Sequence, residues 1–387
     1  MSKVFEKAVA ELDLDRSDWQ LVKFGDVAIQ QKQSVNRENT ELTRYVKGEH
    51  MYSEDIHLRE WGELKDEYLG PAFIRKFEEG DILYGSRRTY LRKVVVAPFE
   101  GITSNTTFVV KANEEKIDKR LLPFIMLSEG FSQHSIKNSK GSVNPYVNWK
   151  DLAGYEFLLP NKTKQEEICD LLEIKECSIQ AKINLKQKLI LSQNSSLKSY
   201  FDRDVEFKQI RKVGEIITGS TPSTKDKNLW GGDIPFVTAP DFVDGKSYVI
   251  ETERTLTVEG MNKSRNIPVN SLMVVCIASV GKIAISSAEC VTNQQINTVI
   301  PNSEMDVKYL FHTLSIFNHL ITSKAANSVV PIINKGDFGL IKIPILEKGL
   351  RGNFVKEADK FESARSALDD SIVKCKILQK SLINKVF

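Results

Sequence analysis

Several things are missing from this 387-residue sequence, and each absence narrows what the chain can be. No two of its five cysteines are spaced as CxxC, and the number is odd. A disulfide framework or a zinc site is therefore not expected, and a reducing compartment suits the chain. No two glycines stand two apart, so no GxG cofactor loop exists. The five histidines never form HExxH. The longest apolar run, Leu272 to Val280, is far too short to cross a bilayer and reads as a buried strand. The segment from Met1 to Trp19 alternates charged and apolar residues and has no apolar core, so it is not expected to be a signal peptide. These absences point to a cytoplasmic protein with no membrane association. Charge of one sign is scarce too. With 54 Lys and Arg against 51 Asp and Glu, the formal charge is +3. Affinity for nucleic acid has to come from local clusters of cations.

The strongest positive signal is internal repetition. Lys23-Phe24-Gly25-Asp26-Val27 resembles Lys212-Val213-Gly214-Glu215-Ile216. Gly80 to Val110 aligns with Asn270 to Ile300 at one constant offset. Ser142-Val143-Asn144-Pro145 matches Ser328-Val329-Val330-Pro331, and Asp151 matches Asp337. In each half, short strands rich in Val, Ile and Phe (Val94–Val96, Phe108–Val110, Leu272–Ile277, Thr298–Ile300) precede helical stretches at Lys119–Ser128 and Val307–Leu320. Each half ends in a long helical pattern, terminated by Phe201 or Phe387.

Those helical patterns carry apolar or small residues at heptad spacing. The first holds Ile168, Leu172, Ile179, Ile183, Ile190 and Leu197. The second holds Phe354, Ala358, Phe361, Leu368, Ile372, Cys375, Leu382 and Val386, interrupted by Arg365 and Gln379. A narrow stripe sustained over roughly 35–38 residues, about 55 Å of helix, needs a helical partner. The other helix of the chain is the simplest one. Packing of each helix on its own globular part is the alternative. The expected fold class is α+β, with two pseudo-repeated mixed α/β domains separated by two long helices that form an antiparallel coiled coil. The expected divisions are 1–162, 163–202, 203–347 and 348–387.

Further motifs carry a family resemblance. Gly219-Ser220-Thr221-Pro222, followed by Trp230-Gly231-Gly232-Asp233-Ile234-Pro235-Phe236-Val237-Thr238-Ala239-Pro240-Asp241, resembles the signature of the target recognition domains of type I restriction-modification specificity subunits. In the first half, Arg44-Tyr45-Val46 through Glu49-His50, then Gly80 to Gly85, Arg87, Tyr90 to Lys93 and Gly101 to Ser104 resemble a second variety of that domain. Leu159-Pro160 and Gln165-Glu166-Glu167-Ile168 resemble the family's junction between recognition domain and helix. In the second half Arg351 stands where Gln165 would be, and Pro344 comes early. The resemblance spans about Trp19 to Phe387.

What the resemblance implies is a non-catalytic subunit that binds double-stranded DNA at a bipartite, asymmetric site, one half per domain. It implies two methyltransferase (M) subunits as partners, with restriction and translocase (R) subunits joining through the M–S core. Two linked copies suit a pseudo-twofold reader, with the helix pair as a ruler on the order of one DNA turn, or about 34 Å. Simultaneous engagement of both copies raises affinity through effective concentration. A duplicated coiled-coil scaffold that binds only proteins is the alternative.

The candidate DNA contacts in the first half are Arg87, Arg88, Tyr90, Arg92 and Lys93, four cations beside an aromatic on a loop, with Lys137 and Lys140 on a second basic loop. In the second half they are Lys225, Lys227, Lys263, Arg265 and Lys282. A solvated turn with ion pairs is the plain alternative for the first cluster. The Trp230 to Asp241 signature fits a rigid scaffold turn better than base contact. Glu49-His50 suits base reading or closure of a turn. Chemistry of its own is not evident. Asn144-Pro145-Tyr146 lacks the second proline of a methyltransferase element. Gly245-Lys246-Ser247 resembles the end of a phosphate-binding loop, but Pro240 occupies the place of its first glycine. Glu173-Ile174-Lys175 has nuclease spacing but falls in the helix seam. His312 and His319, seven apart, read as packing or surface residues. No cofactor and no metal are expected.

Overall fold

The computed structural model describes residues 15–36, 39–66, 68–325 and 330–387. Its contacts divide the chain into two compact units: Met1–Ala181 with Ile372–Phe387, and Lys182–Ser371. Each unit therefore takes part of both long helices, Lys162–Ser199 and Lys348–Val386. Among the described residues no helix is long and apolar enough to cross a membrane.

The strands of the first unit are β1 Gln20–Lys23, β2 Ala28–Gln31, β3 Arg44–Val46, β4 Gly62–Glu63, β5 Phe73–Phe77, β6 Ile82–Gly85, β7 Val94–Val96, β8 Gly101–Ser104, β9 Thr107–Ala112 and β10 Glu156–Leu159. They form sheets ordered β2-β9-β6-β7 and β4-β3-β8-β5, with β1 paired to β10. The second unit holds β11 Glu206–Gln209, β12 Gly214–Thr218, β13 Trp230–Val237, β14 Tyr248–Val249, β15 Arg254–Leu256, β16 Asn266–Ile267, β17 Leu272–Val275, β18 Ile283–Ser286, β19 Cys290–Thr292, β20 Ile296–Pro301 and β21 Lys342–Ile345. Its sheets run β12-β20-β17-β18-β14 and β15-β13-β19-β16, with β11 paired to β21. Strand for strand this is the first unit's topology with β14 added at one edge. Even the parallel pair within the second sheet recurs, as β3 with β8 and β13 with β19.

The repeat is not at one constant offset. Ile82 pairs with Val96 and Val110, and its counterpart Leu272 pairs with Ile285 and Val299, so the second unit has one residue fewer between β17 and β18. A one-residue slip within a strand would turn every core side chain to the wrong face. The loss therefore falls in the β17–β18 hairpin, where no alternation has to be kept. Leu272 to Val275 are buried throughout, as the apolar run suggested, but the strand ends there because the chain turns at Ala278–Gly281. The helical stretch expected at Lys119–Ser128 is observed as Leu122–Leu127, and a second helix follows at Glu129–Lys137. Ser128 is extended and caps that second helix through a bond from the Phe131 N–H to its hydroxyl, which divides the two.

Both alternatives for the long helices are realised at different points along them. Their ends enter the unit cores. In the first unit Ile168, Cys169, Leu172, Leu382, Ile383 and Val386 share one cluster with Phe24, Phe131 and Leu152. In the second unit Leu197, Phe354 and Ala358 pack with Tyr309 and Phe338. Farther from the cores, Ile183, Ile190, Phe361, Leu368 and Ile372 are only half-buried. There the helices meet each other within each unit, antiparallel. Glu176 meets Gln379 in the first. Lys186 meets Asp369 and Tyr200 meets Glu357 in the second. Gln379, which breaks the heptad, is the hydrogen-bond partner of Glu176.

Candidate nucleic-acid interface

The β6–β7 hairpin carries the densest basic cluster of the first unit. A short helical turn, Thr89–Leu91, is flanked by Arg88 and Arg92, both left-handed with φ of 48°. Few side chains adopt that conformation without support from their surroundings. The support is a backbone latch. Arg88 N–H donates to Pro145 O at 2.6 Å, and Val147 N–H donates to Ser86 O at 3.0 Å. Tyr146 bridges to Arg87 on one side and to Lys140 on the other. Two basic loops distant in sequence are thereby one piece of backbone, presenting Arg87, Arg88, Tyr90 and Lys140 to solvent. Among the described residues neither Arg87 nor Arg88 is ion-paired with a carboxylate. Val143 and Tyr146, also exposed, add apolar surface beside them.

The remaining candidates of this cluster are placed differently. Arg92 turns inward, with a side chain 13% exposed, and is paired with Glu54 and Glu129. Lys93 donates to Gly48 O, and burial together with the nearby Arg88 holds its ammonium below the usual lysine range. Lys140 lies 3.4 Å from Asp151. Lys137 is exposed in the last turn of the Glu129–Lys137 helix.

In the second unit the candidates divide into two places. Lys225, Lys227, Lys263 and Arg265 gather around the Gly219–Leu229 loop. Lys263 pairs with Glu259 at 2.7 Å and approaches Asp226 at 3.9 Å. Arg265 donates to Thr218 O at 2.8 Å, and its N–H bonds the Ser220 hydroxyl at 3.2 Å. Lys282 lies apart from them, on the β17–β18 hairpin, where it lines a cavity with Lys246 and Arg365.

That hairpin repeats the latch of the first unit. Ala278, with φ of 63°, and Gly281, with φ of 94°, take the places of Arg88 and Arg92. Ala278 N–H donates to Pro331 O at 2.9 Å, and Ile333 N–H donates to Cys276 O at 2.8 Å. Ile277 bridges Ile332 as Arg87 bridges Tyr146. Of the matched Ser-Val-Val-Pro segment, Ser328 and Val329 lie outside the described residues. The frame is shared, but the side chains on it are not: two arginines and a tyrosine in one unit, two isoleucines and an alanine in the other. Sequence reasoning passed over Tyr146, Ile277 and Ile332. For Tyr146 and Ile332 the preceding prolines were the available signal, because each marks the segment that receives the hairpin.

Other motifs serve the scaffold. His50 Nδ1 accepts the Lys47 N–H at 3.2 Å, closing a turn. Trp230 Nε1 donates to Ser223 O, and the Arg254 guanidinium stacks 3.6 Å from the Trp230 ring centre. Pro145 and Tyr146 spend their backbone on the latch. Glu173 joins Asp118 and Asp170 around Arg120. Burial pushes the Cys169 and Cys290 thiols up to about 12 and the Cys276 thiol up to about 11, far from a reactive thiolate. His312, Asp359 and Glu362 offer ligand atoms within 4.8 Å of one another. Lys308, 2.8 Å from Asp359, already neutralises that carboxylate, so the group works as a hydrogen-bonded network.

A family model for the type I restriction modification DNA specificity domain matches residues 16–189 and 202–348. The specificity subunit of the type I restriction enzyme HindI from Haemophilus influenzae is 34% identical over 146 residues, covering 36% of this chain and 32% of that protein. The MjaIX specificity subunit of Methanocaldococcus jannaschii is 26% identical over 189 residues, covering 48% of this chain and 42% of that one. The matches thus span less than half the length of these relatives. A solved structure describing complex assembly and conformational transition of the type I R-M system aligns over 96% of this chain and 97% of its own. Its TM-score is 0.58 at 16% identity, a likeness of fold.

Proposed function

The chain belongs to the family of type I restriction-modification DNA specificity domains, and from that premise we propose that it is the subunit that reads DNA for such a system. Each unit reads one half of a bipartite, asymmetric site in double-stranded DNA. The two long helices set the number of unread base pairs between the halves. The chain performs no chemistry of its own and works in the cytoplasm. It brings methyltransferase subunits, two in number, to the site, and restriction subunits join through that core. The division into recognition domains at 1–162 and 203–347, with helices at 163–202 and 348–387, belongs to the same reading.

One observation carries this best: the same latched hairpin occurs in both units with unlike side chains on it. A conserved frame with diverged surface residues is what two readers of different half-sites require, since phosphate contacts position a protein and side chains at base edges specify sequence. Arg87 and Arg88, with no carboxylate partner among the described residues, suit phosphate or guanine.

Mapping methylated bases in a genome with and without the gene tests the proposal. A split motif methylated only when the gene is present is the expected result. Inserting one heptad into both long helices, in register, should lengthen the gap in that motif, and an unchanged gap would refute the ruler. Absence of salt-dependent binding to duplex DNA would favour a protein-only scaffold.

A further inference from the structure

Within the second unit lies a cavity of about 390 Å³, walled by the Phe242–Lys246 loop, the Val280–Ile283 hairpin tip, the Val307–Ile316 helix and the second long helix. Lys246, Lys282 and Arg365 line it from three separate elements, against Asp244 and Glu362. That leaves one excess positive charge on the lining. Lys246 and Lys282 each follow a left-handed glycine, Gly245 with φ of 84° and Gly281 with φ of 94°. Gly281 cannot be replaced without cost, because a Cβ there would lie 2.6 Å from Asn318 Oδ1.

Two polar groups, one on the lining and one on the residue that follows Lys246, lack partners among the described residues. Arg365 Nε is buried without an acceptor, although its Nη2 donates to Gly245 O at 3.1 Å. The Ser247 hydroxyl, on a residue 5% exposed, has no partner either. A guanidinium N–H shut off from water without an acceptor loses the stabilisation that water gave it, so a small movement of the Arg365 side chain toward an anion in the cavity would restore it. Gly245-Lys246-Ser247 is not a phosphate-binding loop of the backbone type. Two of its three amides are already committed, Lys246 N–H to Val243 O and Ser247 N–H to Glu362. Recognition has to come from side chains.

We propose that this cavity binds a phosphoryl group, held by Arg365, Lys246 and Lys282. A compact anion of several oxygens suits the lining, because its cations stand on three separate elements and arginine matches adjacent oxygens. The phosphoryl group belongs either to a small phosphorylated molecule or to a DNA backbone. The proposal does not depend on the DNA-reading role.

The test is calorimetric titration of the full chain with inorganic pyrophosphate at fixed ionic strength. Wild type, Arg365→Gln and Lys282→Gln are compared, with thermal midpoints measured first without the anion. Saturable binding is expected, weakened about tenfold or more by each substitution. If Arg365→Gln folds poorly, Lys282→Gln decides alone, since its side chain lies on the hairpin tip. Absence of saturable binding, or equal affinity for wild type and a folded variant, would overturn the proposal. Competition with a duplex separates the sources. Displacement of pyrophosphate by duplex assigns the site to backbone phosphate, and lack of displacement assigns it to a small phosphorylated ligand.

Discussion

Gln165 and Arg351, unlike in chemistry, occupy the same place in their units and hold the same kind of backbone acceptor. Gln165 Nε2 donates to Pro160 O at 2.9 Å, just beyond β10. Arg351 Nε donates to Leu346 O at 2.8 Å, just beyond β21. Each also ties the chain ahead of a helix, Gln165 through the Asp118 N–H and Arg351 through Glu304 O. Gln165→Ala should cost about 2 kcal/mol, because it strands a part-buried N–H and a buried carbonyl. Arg351→Gln should cost less than Arg351→Ala, since it keeps a donor for Leu346. Chemical denaturation measures both, and equal losses for the two Arg351 variants would contradict the shared role.

Glu176 gives the stability a dependence on acid. Burial works to raise its carboxyl, but bonds from His57, Gln379 and Gln180 outweigh it and hold the group below its ordinary value of 4.5. A carboxylate depressed on folding adds stability that is present above its unfolded value and lost as pH falls through the folded one. Glu176→Gln should therefore lower stability by about 1–3 kcal/mol at neutral pH. It should also flatten the stability curve below about pH 4.5. A variant whose curve overlays wild type throughout would remove Glu176 from the account.

The arginines of the β6–β7 hairpin should separate into two kinds. Replacing Arg87 and Arg88 with alanine should weaken duplex binding and reduce the slope of log affinity against log salt by about 2, with little change in stability. Arg92→Ala should leave that slope alone and cost about 1 kcal/mol of stability, since its partners Glu54 and Glu129 are nearly half exposed. The reverse pattern would show that the inward placement of Arg92 does not describe the protein in solution.

Ala278 holds a conformation that glycine adopts freely. Ala278→Gly should raise stability by up to about 1 kcal/mol, offset in part by the entropy of the unfolded chain. Ala278→Val should destabilise by more than that. If both variants match wild type in denaturant midpoint, the hairpin is not held at φ of 63°.

The sequence alone determined the duplication, the α+β class and the paired helices, because these rest on periodicity: strands alternate every two residues and a helix seam recurs every 3.5. The apolar stripe from Phe354 was legible for that reason, and β6 and β17 were legible as short continuous apolar runs. Tertiary structure decided what periodicity does not encode. It brought Arg87 beside Lys140 through Tyr146, and it turned Arg92 inward although the residue stands in the same basic run. It joined Lys246, Lys282 and Arg365 around one cavity from three distant segments. It also placed the lost residue of the second unit in a hairpin, where backbone bonds to Pro331 rather than side-chain alternation fix the path. Side-chain direction at a left-handed turn, and the meeting of loops far apart in the chain, depend on long-range backbone hydrogen bonds that no local pattern of residues records.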